Sequence, residues 1–107
     1  MLNIITSTEN GTSPSGKNFT ITDYAVAGYT LSRIEVEGGD RIEWKCYGAD
    51  DAPTITDLSG FMSDVPEYGV NWSARGAHDA AGARAYAMQL ATAADVADVF
   101  NRIVASN

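Results

Sequence analysis

Thr30-Leu31-Ser32-Arg33-Ile34-Glu35-Val36-Glu37-Gly38-Gly39-Asp40-Arg41-Ile42-Glu43-Trp44-Lys45-Cys46-Tyr47 is the stretch from which the fold is read. Its first half alternates, with Ser32, Ile34 and Val36 on one side and Arg33, Glu35 and Glu37 on the other. That is the two-residue period of a half-buried strand. Gly38-Gly39-Asp40 supplies the positive-φ and side-chain-to-backbone chemistry of a tight turn. The alternation then resumes with Ile42, Trp44 and Cys46 pointing inward. A three-residue loop sets Val36 opposite Ile42 and Ile34 opposite Trp44, so the two apolar faces agree. The same register places Glu37 opposite Arg41, a favourable pair. It places Glu35 opposite Glu43, which repel unless Arg33 or Lys45 relieves them.

Toward the amino terminus, Leu2 to Thr6 is β-branched and alternating and reads as a strand. Glu9 to Gly16 strings turn formers together and predicts a mobile hairpin loop. A second strand follows over Asn18–Thr22, with Phe19 and Ile21 on one face. The apolar parity then moves to Tyr24 and Val26, which calls for a bulge or break at Asp23 or Gly28.

Toward the carboxy terminus, residues 48–67 carry Ile55, Leu58, Phe61 and Met62 at helical spacing, consistent with a short helical turn between loops. Tyr68–Ser73 reads as a short strand that buries Val70 and Trp72. From Asp79, a candidate N-cap, apolar residues recur at Ala83, Tyr86, Ala87, Leu90, Ala94, Ala97, Phe100 and Val104. This is a helix to about 105, either continuous or broken near Thr92, where Thr92-Ala93-Ala94-Asp95 resembles a capping box. The elements sum to an α+β fold: a small antiparallel sheet of four or five strands packed by a C-terminal helix.

A chain of 107 residues with 45% hydrophobic content has material for one core, so residues 1–107 are read as a single domain. The first residues lack the basic and long apolar regions of a signal peptide, and no run reaches the length of a membrane span, so a soluble cytoplasmic protein is expected. The lone Cys46 has no disulfide partner within the chain and reads as a small buried hydrophobe.

Charge is distributed unevenly. Of the net −7, residues 35–67 hold nine acids against two bases, while the rest of the chain is balanced. Such an excess repels phosphate backbones and anionic lipid, which disfavours direct nucleic-acid or membrane binding.

Catalytic chemistry has little to stand on. A Cys46–His78–Asp79 relay is the one nucleophilic arrangement that can be drawn, against the simpler reading of a core cysteine and a solvated helix-start histidine. One His and one Cys do not make a zinc site, and Asp50, Asp51, Asp57 and Asp64 match no EF-hand spacing, although oxygen ligation of calcium is the alternative to a solvated acidic face. No catalytic residue, metal or cofactor is assigned.

The pattern Val70-Asn71-Trp72-Ser73-Ala74 with Gly76, followed by Ala83-Arg84-Ala85-Tyr86-Ala87 and by Leu90, Ala93, Asp95 and Ala97, resembles small uncharacterised proteins of actinobacteria and their phages. Those proteins similarly place a short Asn-Trp-Ser strand before an Ala-Arg-aromatic-Ala helix. The resemblance covers the last 38 residues or so. It implies a phage or mobile-element accessory protein and no activity.

The first expectation is therefore a non-enzymatic protein that binds a partner protein through its acidic central surface. Its contact set is Glu35, Glu37, Glu43, Asp50 and Asp51. Such a surface imitates nucleic-acid charge, as a counter-defence factor of anti-CRISPR or anti-restriction type would when it occludes a basic site. The competing explanation of the same acids is solubility alone. A second expectation is a structural or assembly module that meets another copy or a virion protein through the apolar loop around Phe61 and Met62. A third, a small hydrolase or transferase, would require His78 for activity.

Overall fold

A computed structural model describes residues 2–39, 41–48, 52–60, 65–71 and 80–107. The chain forms two compact units, Met1–Tyr47 and Gly48–Asn107. The fold is α+β, with antiparallel strands and one C-terminal helix.

The first unit is a four-stranded antiparallel sheet in the order β1-β2-β3-β4, with β1 Ile5–Thr12, β2 Asn18–Val26, β3 Tyr29–Val36 and β4 Glu43–Tyr47. β1 starts later and runs further than the alternation suggests, so Glu9 to Thr12 belong to a strand and not to a loop. The turn itself is Ser13–Lys17. Ser13 N–H donates to the Lys17 carbonyl at 2.8 Å, Gly16 N–H donates to the Ser13 carbonyl, and Lys17 N–H donates to Ser13 Oγ. Side-chain hydroxyls let a polar segment close a hairpin without apolar burial. β1 is an edge strand of almost wholly exposed polar residues, the composition that discourages further strand addition.

β2 contains no bulge: its register is unbroken from Asn18 to Ala25 against β1 and from Phe19 to Val26 against β3. The parity change has another cause. Phe19 and Ile21 lie on one face of the sheet, while Tyr24 and Val26 lie on the opposite face, so the two ends of one strand are apolar on different sides. Gly28 is half of a two-residue turn, with Ala27 at φ 50° and Gly28 at φ 86°, between the paired residues Val26 and Tyr29. Both central residues in the left-handed region define the turn whose twist matches antiparallel strands.

The β3–β4 register differs by one residue from the expected pairing. Leu31 lies opposite Cys46, Arg33 opposite Trp44 and Ile34 opposite Glu43, and at that last pair the ladder ends on the turn side. A turn at Val36–Gly39, closed by the Gly39 N–H bond to the Val36 carbonyl at 2.9 Å with Gly38 at φ 76°, starts the connection before Asp40. Because the period of a strand is two, a one-residue shift exchanges the faces. Leu31, fully buried, therefore joins Trp44 and Cys46, and Ile34 shares its face with Glu43.

In the second unit β5 Thr54–Asp57 pairs antiparallel with β6 Tyr68–Asn71, and α1 spans Ala80–Ala105. Ile55 is thus in a strand, opposite Val70, and not in a helical turn. Phe61, Met62, Trp72, His78 and Asp79 lie outside the described residues. α1 is continuous for 26 residues, about 39 Å at 1.5 Å per residue. At the suspected break, Thr92 Oγ1 donates back to the Met88 carbonyl at 3.1 Å, so the hydroxyl is spent inside the helix and does not cap a new one. Ala93, Val96, Ala97, Phe100 and Val104 are its buried stripe, and α1 packs on β6 and β5. Phe100 meets Tyr68 edge to face, with ring centroids 6.3 Å apart.

Candidate functional site

The unbroken registers fix which side chains share a face of the four-stranded sheet. On one face successive rows read Asn10–Thr20–Glu35, Thr8–Thr22–Arg33–Trp44 and Thr6–Tyr24–Leu31–Cys46. On the other they read Gly11–Phe19–Val36, Glu9–Ile21–Ile34–Glu43, Ser7–Asp23–Ser32–Lys45 and Ile5–Ala25–Thr30–Tyr47.

Glu35 and Glu43 consequently project from opposite faces, and each has a base two residues away on its own strand. Arg33 Nη2 donates to Glu35 Oε1 at 2.7 Å, and Lys45 Nζ lies 3.7 Å from Glu43 Oε1. The repulsion expected between the two glutamates does not arise, because Glu43 stands opposite Ile34. Glu37 lies at the same end of the sheet, where its Oε2 accepts the Asn18 N–H at 3.2 Å. The three glutamates flank the end of one hairpin from both sides and do not tile a flat patch. Asp50 and Asp51 lie outside the described residues.

Three polar residues outside that set have defined work. Glu9, on edge strand β1, shares a row with Glu43, a juxtaposition invisible without the register. Asp57 organises the start of the β5–β6 connection: its Oδ1 accepts the Ser59 N–H at 2.9 Å, the Ser59 hydroxyl at 2.6 Å and the Glu67 N–H at 3.1 Å. Burial pushes its pKa up, but the three donors outweigh burial and hold the carboxyl below its ordinary range. Asp23 accepts the hydroxyl proton of buried Ser32 in the middle of the sheet.

Cys46 is part-buried beside Leu31, and burial pushes its thiol up to about 11. It is a neutral thiol at physiological pH, with the packing role of a small hydrophobe. Burial, with Cys46 nearby, also raises the Tyr29 hydroxyl. Among the described residues, no cluster of three or more His, Cys, Asp or Glu side chains is placed to hold a metal. In the second unit a groove of about 280 Å³ between β6 and α1 is lined, among the described residues, mainly by Val70, Leu90, Ala94 and Ala97, with the charged Asp98 beside them. None of the described helix is long and apolar enough to cross a membrane. Comparison with protein-family models, with curated proteins and with solved structures finds no match to this chain.

Proposed function

We propose that this chain is a non-enzymatic, cytoplasmic accessory protein of a phage or mobile element that binds a partner protein through acidic side chains of its central segment. The partner's binding surface is basic, of the kind that otherwise receives nucleic acid, and the chain acts by occluding it. The observation that carries the proposal is the confinement of the net −7 to residues 35–67. Long-range attraction of this sign accelerates encounter with a basic surface and weakens as salt rises. Glu35, Glu37 and Glu43 at the end of the β3–β4 hairpin, with Asp50 and Asp51 following in sequence, form the contact set. Their projection from two sides suits entry of a hairpin end into a basic cleft better than contact with a flat wall.

The test is capture of partners from actinobacterial lysate on the tagged protein, followed by elution across a salt gradient and by competition with duplex DNA. Support is a nucleic-acid-binding protein that DNA displaces and that Glu35→Lys, Glu37→Lys and Glu43→Lys together release. Retention of the captured protein by that triple variant ends the proposal. The second reading, an assembly module, draws on Leu58 and Val65, exposed at 63% and 60% on either side of the Phe61–Met62 segment. Loss of the same capture on Phe61→Ser and Met62→Ser, with the triple variant unaffected, selects it.

A further inference from the structure

The face that carries Glu43 has an apolar centre between two acids. Phe19–Val36 and Ile21–Ile34 are adjacent cross-strand pairs on this face, with Glu9 and Glu43 at the two ends of the second row. Phe19, Ile21 and Ile34 are half-buried, Val36 is 42% exposed, and both glutamates are exposed. The next row adds Asp23, bound by Ser32, and Lys45 beside Glu43, so the face as a whole remains negative. The opposite face carries Arg33 against Glu35 and is balanced there.

Dimensions identify the occupant. Glu9 and Glu43 are separated by three strand spacings, about 14 Å. An α-helix with its side chains is about 10–12 Å across. A helix laid along the strands therefore sets its apolar stripe on the two pairs while a basic residue on each flank reaches a glutamate. An apolar centre with a charged rim is the arrangement that concentrates binding energy in a few side chains.

We infer that this face, centred on Phe19, Ile21, Ile34 and Val36 and bounded by Glu9 and Glu43, receives a basic amphipathic helix of the partner protein. The inference rests on the partner-binding reading and names the partner's contacting element.

The experiment uses the whole protein and a leucine–lysine peptide of about 18 residues patterned as an amphipathic helix. A scrambled peptide of the same composition has the same charge and no apolar stripe. Amide shifts are followed by NMR and affinity by fluorescence anisotropy at ~150 mM salt. The expected result is shifts centred on Phe19, Ile21, Ile34 and Val36 and at least tenfold tighter binding of the patterned peptide, since about 1.4 kcal/mol of apolar burial suffices for that ratio. Val36→Asp, Glu9→Lys and Glu43→Lys each weaken binding about tenfold, whereas Thr8→Ala, at an exposed position on the other face, changes it by less than about twofold. Retained amide dispersion shows that the variants fold. Equal binding of the two peptides, shifts confined to other surfaces, absence of binding, or occupation of the face by a second copy in sedimentation each overturns the inference. Equal binding leaves the charge-based proposal intact, and the DNA-competition result decides that proposal separately.

Discussion

The side-chain amide of Asn101 on α1 grips both backbone groups of Tyr68 on β6. Asn101 Oδ1 accepts the Tyr68 N–H at 2.7 Å, and Asn101 Nδ2 donates to the Tyr68 carbonyl at 3.0 Å. A strand residue on the side away from β5 is thus hydrogen-bonded as if a further strand lay beside it. Asn101→Ala removes both bonds to the part-buried Tyr68 backbone and is expected to cost about 2 kcal/mol. Asn101→Asp keeps the acceptor but turns an oxygen toward the carbonyl, so it should be no better than alanine at neutral pH. Urea denaturation followed by Tyr68-region amide signals measures both.

Asp57 gives the second unit an acid-sensitive joint. Its folded pKa lies below the ordinary value, so its contribution is complete above the ordinary carboxylate range and is lost as pH falls through that range toward the folded value. Exchange of the Ser59 and Glu67 amides should accelerate on acidification before the β5–β6 ladder amides do. Asp57→Ala at neutral pH should accelerate the same two amides roughly fivefold, the equivalent of about 1 kcal/mol of local stability.

Cys46 has the opposite sign. Its thiol is raised to about 11 against the usual 9, so the folded state holds its proton more tightly than the unfolded state. Stability is unaffected below pH 9 and falls as pH rises from there through 11. Alkylation by iodoacetamide at pH 8 should be much slower for the native than for the unfolded chain, and an equal rate would refute the packed position.

Gly11 is required by the Phe19 ring. The ring lies over the β1 backbone, and a Cβ at Gly11 would collide with it. Gly11→Ala is expected to displace the ring and cost about 1–2 kcal/mol despite alanine's ordinary tolerance on exposed strands. The double variant Gly11→Ala with Phe19→Leu should recover part of that loss in thermal unfolding.

Much of this architecture was legible in the residues. The α+β class, the short strand at Tyr68 and the final helix follow from turn residues and period alone. The β3–β4 register was not, because Leu31 and Ile34 both offer an apolar face and alternation cannot rank them when each side of the sheet buries something. Ile55 and Leu58 imitate helical spacing, but Ile55 pairs across a strand with Val70 and Leu58 extends over Gly69. Of the candidate contacts, Glu35, Glu37 and Glu43 were found by counting charge, which carries no information about facing. Glu9 was invisible to the count because it reaches Glu43 only through two intervening strands.

The Ala27–Gly28 turn determines how the sheet is assembled. Since β2 is apolar on both sides, burial alone does not penalise sliding it by one position, and discrimination falls to the loop that allows only Val26 to meet Tyr29. That pair closes the shortest chain separation in the sheet, so the hairpin is entropically the cheapest to form and is expected to form early in folding. Ala27→Asn, which relieves the cost of alanine in the left-handed region, should then speed refolding more than it slows unfolding.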